Sequence, residues 1–351
     1  MSIINNKWMF RIKYNPDGSV EKYKARVVAK GFQQVPGVDI FETYSPVVKP
    51  CTIRLILTFA VTNNWTIQQI VVNNAFLNGT LKETVFMVQP EGFTNEIHPT
   101  HVCQLHKALY GLKQAPRGWF DELKTYVVSL GFRMSISDSS LFFKNQGGKH
   151  LFILVYVDDI LLTGDDNDEI MHVIQLLGQK FALKTLGEVT YFLGLEAKRT
   201  SAGLTFTQTK YISDLLAKPN MSNCKPVSTP LCTSLKLALN DSKPFDCPSV
   251  YRSTIGTLHY LTMSKPDISF DVSKLSQYLH APTVNHWSAC KHLLRYLKGT
   301  SKLGLCFYPA QRLSLQAFSD ADWASNLDDR KSTGGFCVCL GSNLLTWSSK
   351  K

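Results

Sequence analysis

The chain has 351 residues and a formal net charge of +11, with 44% hydrophobic and 19% charged residues. This length suggests two or three domains, and the hydrophobic fraction is sufficient for a core. No apolar run approaches the roughly 18 residues that a membrane span needs, and the N-terminus lacks the apolar segment of a signal peptide. We therefore expect an intracellular protein, cytoplasmic or nuclear. Its positive charge favours a polyanionic partner.

The first predicted elements are two strands in KWMFRIKYNPDGSVEKYKARVVAKGF, joined by a turn at NPDGS. Cations alternate with other residues in the second strand, so Lys24 and Arg26 should share one face. Two interpretations of this face are open. It is either a solvated edge strand protected by charge or a surface that binds phosphate.

Apolar spacing predicts a helix over 52–65 with Thr52 as its cap, and then a strand over 66–72. A second helix begins near Pro116 and ends at Gly131. A third, acid-capped helix follows in DDNDEIMHVIQLLGQKF. The apolar stripe of the second helix consists of Trp119, Phe120, Leu123, Tyr126 and Val127.

The stretch LFILVYVDDILLTG, residues 151–164, predicts a buried hairpin with Asp158 and Asp159 at its tip. A pair of aspartates at a hairpin tip usually belongs to a turn that is exposed to solvent. Here both flanks are apolar, so the two carboxylates should repel each other and have raised pKa values unless a cation lies between them. Mg²⁺ prefers such oxygen ligands, which makes a divalent metal site the natural interpretation.

Residues 218–248 are rich in Pro, Ser and Asn, and we expect a long connecting segment there. Two or three helices should follow, and the tail after residue 310 predicts three short strands. Cys337 and Cys339 alternate within one of these strands, so they should share a face. No set of zinc ligands with the usual spacing accompanies them, and we expect reduced thiols.

Several segments together resemble the pol polyprotein of copia-type LTR retrotransposons. They occur in the family's order and spacing, and the resemblance covers essentially the whole chain. IGTLHYLTMSKPDISF and the tail resemble the connection and the start of the ribonuclease H domain. The segments that resemble the reverse transcriptase domain are YKARVVAKGF, NNAFLNGTL, LYGLKQAPRGWF, YVDDILLTG and YFLGLE.

The resemblance implies an α+β fold of the right-hand polymerase type. Residues 1–215 would form fingers and palm, and residues 216–310 a helical thumb and connection that includes the loop-rich linker 218–248. Residues 311–351 would form a truncated ribonuclease-H-like sheet. The implied function is RNA-directed DNA polymerisation on an RNA or DNA template-primer with dNTPs, using Mg²⁺ or alternatively Mn²⁺.

Residue roles follow from the matching motifs. Asp158 and Asp159 would be the paired catalytic and metal-binding carboxylates, and Phe76 the aromatic gate against a ribose 2′ hydroxyl. For Tyr110 and Gln114, a packing role at the helix entry is the alternative. The implied nucleotide-binding residues are Lys24, Arg26, Phe76, Tyr110, Gly111, Lys113 and Gln114.

The family's third metal carboxylate is missing, because the expected Asp position holds Val71 and no acid lies between Asn63 and Asn78. Removing a charged ligand from a buried site costs several kcal/mol, and even about 4 kcal/mol is about a thousandfold in rate. We therefore expect weak or absent polymerase activity. Asp320 matches the first ribonuclease H acid, but the chain ends before the later ones, so no ribonuclease H activity is expected.

Three functional hypotheses are open: a reverse transcriptase with residual activity, a non-catalytic nucleic-acid-binding relic, and a non-functional transposon remnant. The relic would grip nucleic acid through Lys24, Arg26, Lys30 and Lys113, with steeply salt-dependent binding. The remnant would be poorly soluble, because both ends of the chain would cut through folded units. Two explanations of Val71 are open. Either a transposon copy has decayed neutrally, or a retained nucleic-acid-binding role without catalysis has made the Asp dispensable.

Overall fold

The computed structural model describes residues 3–14, 17–232 and 237–351. Asn15 and Pro16 of the predicted NPDGS turn, and residues 233–236 of the predicted linker, lie outside the described residues. Two compact units are present: unit 1 comprises Met1–Val48 and Ile67–Glu188, and unit 2 comprises Lys49–Thr66 and Val189–Lys351. This division reflects packing alone, so the predicted functional boundaries near 215 and 310 stay predictions.

Helices and strands are mixed along the chain, in agreement with the expected α+β class. The helices are α1 (Pro50–Thr62), α2 (Ala115–Ser129), α3 (Asn167–Lys180), α4 (Thr209–Ala217), α5 (Pro248–Leu261), α6 (Ser269–Ser276) and α7 (Val284–Gly299). Along the described ranges, no helix combines the length and apolar character needed to cross a membrane.

The strands of unit 1 include the two predicted at the N-terminus and the predicted hairpin. They are β1 (Ile3–Ile4), β2 (Asn6–Tyr14), β3 (Val20–Ala29), β4 (Ile67–Val72), β5 (Thr80–Val88), β6 (Val102–Lys107), β7 (Arg133–Met134), β8 (Leu141–Gln146), β9 (Lys149–Tyr156), β10 (Asp159–Gly164) and β11 (Leu183–Glu188). Those of unit 2 are β12 (Tyr191–Phe192), β13 (Leu195–Thr200), β14 (Gly203–Thr207), β15 (Leu305–Phe307), β16 (Leu315–Ala321), β17 (Gly334–Leu340) and β18 (Asn343–Lys350).

The helix boundaries follow from local chemistry. Asp166 caps α3, because its side chain accepts the backbone N–H of Glu169. The predicted cap of α1 at Thr52 is wrong: Pro50 occupies the start of that helix and Lys49 is its N-cap, so Thr52 lies inside the first turn. Proline suits this place, since its missing N–H would have no partner there in any case.

The main sheet of unit 1 has the strand order β11-β4-β10-β9-β8-β7. Alternate residues of its central strands pack with α2 and α3 in one apolar core. Val71 and Asp159 alternate with these core residues, so they point from the opposite face of the sheet. The core includes Ile70, Val72, Ile153, Val155, Ile160 and Leu162 from strands, with Trp119, Leu123, Val127, Ile170, Val173 and Leu177 from helices.

Unit 1 also contains the hairpin β2-β3 and the three-stranded sheet β1-β5-β6. Unit 2 contains the sheet β12-β13-β14-β15, the antiparallel sheet β16-β17-β18, and a helical core. Residues from α4, α5, α6 and α7 build that core, including Leu215, Ile255, Val272 and Leu293. The three tail strands predicted from the sequence are therefore confirmed.

A buried histidine lies at the start of α7. The His286 ring stacks on Tyr278, with 3.9 Å between ring centroids, and its Nδ1 accepts the backbone N–H of Thr283 at 2.9 Å. Burial lowers the pKa of His286 below its ordinary value, against the opposing effect of Asp241, whose carboxylate lies 3.9 Å from Nε2. The folded chain therefore holds this imidazole neutral.

Acidification from about pH 7.5 to about 5.5 should reduce the contribution of His286 to the free energy of unfolding, because the unfolded chain protonates this histidine near pH 6.5. The folded chain takes up that proton only at lower pH, so stability is complete above about 6.5 and is lost as pH falls towards the folded-state pKa. Urea unfolding at several pH values measures this loss. His286→Gln should flatten the dependence, whereas a change of the exposed His280 to Gln should retain it. Equal losses in His286→Gln and the natural chain would contradict the prediction.

Candidate active site at the β9-β10 hairpin

The turn between β9 and β10 consists of Val157 and Asp158, and Asp159 is the first residue of β10. Val157 adopts a left-handed backbone with φ of 55°, which is a rare conformation for a β-branched residue. The buried indole of Trp119 donates its Nε1–H to the Val157 carbonyl at 2.7 Å. The backbone N–H of Val72 donates to the Asp158 carbonyl at 2.9 Å. Neighbouring elements thus hold the strained turn in place.

Val71 lies directly opposite Asp159 in the antiparallel pairing of β4 with β10. On its other side, Val71 pairs with Lys184 of β11. Directly opposed residues of neighbouring strands share a face, so Lys184, Val71 and Asp159 form one cross-strand row. The position at which the resemblance implies a third acid is therefore adjacent to Asp159, and Val71 occupies it with an apolar side chain.

The charged form of Asp159 is destabilised by its surroundings. Burial raises the pKa of Asp159 above its ordinary value, and the neighbouring Asp158 carboxylate raises it further. The amide of the buried Gln69 opposes this effect as a weak donor, 3.5 Å from Asp159 Oδ1. An added cation would relieve the repulsion.

The donor set fits one hard cation but not a pair. Mg²⁺ is commonly held by one or two carboxylates with substrate phosphates, which Asp158 and Asp159 can match. In the part of the chain that the structure describes, no group of three His, Cys, Asp or Glu side chains could hold a metal ion. Val71 has no lone pair with which to join the two carboxylates.

A strongly basic face lies on the hairpin β2-β3. Its register pairs Arg11 with Lys24 and Met9 with Arg26, which places both predicted phosphate-binding cations on one face. Burial lowers the pKa of Lys24, and the neighbouring cations add to this effect, whereas Asp158 opposes it. The cations of this basic face, defined by register, are Lys7, Arg11, Lys13, Lys22, Lys24 and Arg26.

Arg26, Tyr110 and Phe76 form a contiguous cluster. The guanidinium of Arg26 lies over the Tyr110 ring at 5.1 Å, and the rings of Tyr110 and Phe76 lie 4.6 Å apart. Burial raises the pKa of Tyr110, and Asp158 raises it further, so this cluster and the carboxylates share one electrostatic environment. The buried Nε of Arg26 has no hydrogen-bond partner among the described residues, so this donor is unsatisfied within the described protein.

Gly111 and Gln114 have structural roles in this site. Gly111 has φ of +95°, and a Cβ there would lie 2.0 Å from the Ala29 carbonyl oxygen, so only glycine fits. Gln114 is buried, with its amide bonded to Gln34 at 2.9 Å and to the Asp39 carbonyl at 3.1 Å. This arrangement favours the packing alternative for Gln114. Lys113, the residue before Gln114, is exposed.

Asp320 is not part of this cluster. It lies in unit 2 on β16, where it is exposed and pairs with Gly335 of β17. Its assignment as a ribonuclease H acid stays a prediction.

Trp119 and Gln69 are contacts of the site that the sequence patterns did not identify. Trp119 was expected only as part of an apolar stripe, and it is indeed buried. A buried indole usually finds an acceptor for its N–H, which is the signal that could have indicated its polar role. Gln69 offers no comparable signal, since its neighbour Asp159 is 90 residues away in the chain.

Comparison with known proteins places this geometry in context. Residues 1–233 match the family model described as "Reverse transcriptase (RNA-dependent DNA polymerase)". The retrovirus-related Pol polyproteins from transposons RE2 and RE1 of Arabidopsis thaliana are 50% and 49% identical over 351 residues, which is all of this chain and 24% of each relative. The Pol polyprotein from transposon TNT 1-94 of Nicotiana tabacum is 39% identical over 98% of this chain and 27% of the relative. The chain thus spans about a quarter of the length of these curated relatives.

Gly111→Ala should lower the free energy of unfolding by more than Gly92→Ala. Gly92 also has a positive φ, +80°, but a Cβ there would meet nothing within 4 Å. Gly92→Ala should therefore lose only the cost of placing alanine in a left-handed backbone, about 1 kcal/mol of unfolding free energy. Gly111→Ala should pay the same cost and add a clash with the Ala29 carbonyl. Urea unfolding of both variants measures the difference. Equal losses of stability in the two variants would show that the close approach of Gly111 to the Ala29 carbonyl does not exclude a side chain.

Proposed function

The chain belongs to the reverse transcriptase family of copia-type retrotransposon Pol polyproteins, and from that premise we propose that it is a template-primer-binding polymerase fold whose nucleotidyl transfer is severely weakened by Val71. In this proposal the main sheet of unit 1 is the palm and the hairpin β2-β3 belongs to the fingers. The helices of unit 2 would serve as thumb and connection, and β16-β17-β18 as the ribonuclease-H-like part.

The observation that carries the proposal is the pairing of Val71 with Asp159. A carboxylate at position 71 would lie in the same cross-strand row as Asp159, where it could share a cation with the hairpin acids. Val71 instead adds apolar surface beside them. Removing one partner from a buried charged site costs about 3–5 kcal/mol, which corresponds to roughly a hundredfold to a few thousandfold in rate.

The remaining residues suit the handling of an incoming dNTP. Lys24 and Arg26 would hold the triphosphate, since fixed cationic donors bind phosphate oxygens strongly. Tyr110 and Phe76 would form the apolar wall beside the sugar and base, and Lys113 would add charge at its edge. Mg²⁺ or Mn²⁺ held by Asp158 and Asp159 would supply charge neutralisation at the triphosphate and activation of the primer hydroxyl.

A second function, nucleic-acid binding without extension, is favoured by the basic face. Six cations of β2 and β3 share this face. Such cations bind nucleic acid by neutralising its phosphates, and this binding does not require the catalytic carboxylates. Loss of the third acid would leave this surface intact. The two proposals differ only in whether residual extension survives.

Val71→Asp should raise primer extension on a primed RNA template by about a hundredfold or more in Mg²⁺, because it restores a shared carboxylate. Val71→Asn is the matched control, since it adds polarity without charge and should stay near the natural chain. Asp158→Asn supplies the blank, and Mn²⁺ repeats the series with a second ion. Extension by the natural chain at the level of Val71→Asp would contradict the proposal.

Lys24→Gln should reduce the salt dependence of template-primer binding by about 0.9 in the slope of log K against log salt, because one phosphate contact is lost. Lys180→Gln removes the same charge from the exposed end of α3 and should leave the slope unchanged. Fluorescence anisotropy of a labelled duplex over a salt series measures both. Identical slopes for Lys24→Gln and the natural chain would show that the basic face does not contact phosphate.

A further inference from the structure

Two thiols lie together in unit 2, outside the polymerase site. Cys337 and Cys339 occupy alternate positions of β17, the middle strand of its sheet, so their side chains point to the same face. Both residues are half-buried. Both thiols are free rather than joined in a disulfide.

The spacing favours a bridging atom over a direct sulfur–sulfur bond. Alternate residues of a strand have Cα atoms about 6.7 Å apart, at the upper end of the range that disulfides tolerate. Two sulfurs bonded to one bridging atom lie about 3.5–3.8 Å apart, because each bond to sulfur is about 2.3 Å long and the angle between the bonds is pyramidal or tetrahedral. An inserted soft ion therefore spans the two thiols with less backbone movement than a disulfide needs.

The backbone around the pair is held firmly. Cys337 pairs with Trp347 of β18 and with Phe318 of β16. The Trp347 indole donates to Ser269 Oγ at 3.0 Å, and its ring lies 3.8 Å from the guanidinium carbon of Arg54. Partner strands pair with β17 on both sides, in regular register with β16 and with a register shift in the β18 pairing between Val338 and Cys339. This pairing restrains the backbone at both cysteines, which lowers the entropic cost of chelation.

We propose that Cys337 and Cys339 form a dithiol site that binds one thiophilic soft ion, with trivalent arsenic as the representative ligand. Soft thiolate ligands select such ions over Mg²⁺. With an organic arsenic(III) oxide, the arsenic–oxygen bond breaks and two arsenic–sulfur bonds form. The two thiol protons leave with the oxygen as water, and arsenic remains trivalent.

Burial and the neighbouring Cys337 raise the pKa of the Cys339 thiol. The Cys339 thiol is therefore protonated near neutral pH, and its proton leaves with the arsenical oxygen as water.

Titration of the whole chain with phenylarsine oxide tests the site, read by intact mass and by counting free thiols. We expect one arsenical per chain and the loss of two thiols. Cys337→Ser or Cys339→Ser should each weaken binding by about 10²–10⁴-fold, because a single thiol loses the benefit of chelation. Cys306→Ser, which changes another half-buried cysteine of unit 2, should bind like the natural chain.

Circular dichroism of each serine variant checks that the fold is retained, and Cys337→Ala and Cys339→Ala provide a second pair of replacements that also lack the thiol. Undiminished arsenical binding in folded Cys337→Ser and Cys339→Ser would overturn the proposal. So would a modification that consumes one thiol for each arsenical in the natural chain.

Discussion

The electrostatic repulsion between Asp158 and Asp159 is the constraint on which the rest of the site depends. Both carboxylates lie at the end of a half-buried hairpin, and burial together with the neighbouring charge raises the pKa of Asp159. A fold can keep such a pair only where cations can approach it. The basic face supplies fixed positive charge, since Asp158 is close enough to influence the pKa of Lys24 and of Tyr110.

The surrounding structure is organised to hold that pair in place. Trp119 fixes the strained turn at Val157, and the backbone of Val72 holds the Asp158 carbonyl. Gly111 lets the loop that carries Tyr110 approach the end of β3, so that the Arg26 guanidinium lies over the tyrosine ring. Val71 is compatible with this scaffold, because a half-buried valine suits a strand.

Periodicity predicted much of the fold. The β9-β10 hairpin, the helices α2 and α3 and the three tail strands all follow from apolar spacing and turn residues, which act locally. The cap of α1 was missed because Pro50 suits the first turn better than Thr52. The resemblance in motifs supplied the candidate residues, and the pairing of Val71 with Asp159 depends on strand register.

Some features could not have been predicted, because they depend on distant parts of the chain. The amide of Gln114 could equally have faced a ligand or the protein interior, and only packing against Gln34 and Asp39 decides between them. The indole bond of Trp119 depends on how α2 lies against the hairpin.

Binding of Mn²⁺ to the natural chain and to Val71→Asp, followed by electron paramagnetic resonance with a primed template and a dNTP present, is the most direct measurement. If Val71 leaves an incomplete ligand set, the natural chain should bind at most one ion, weakly, and lose it in Asp158→Asn. Val71→Asp should bind a second ion and bind the first more tightly. Two ions bound equally well by both proteins would contradict this interpretation, because another group would then be supplying the third ligand.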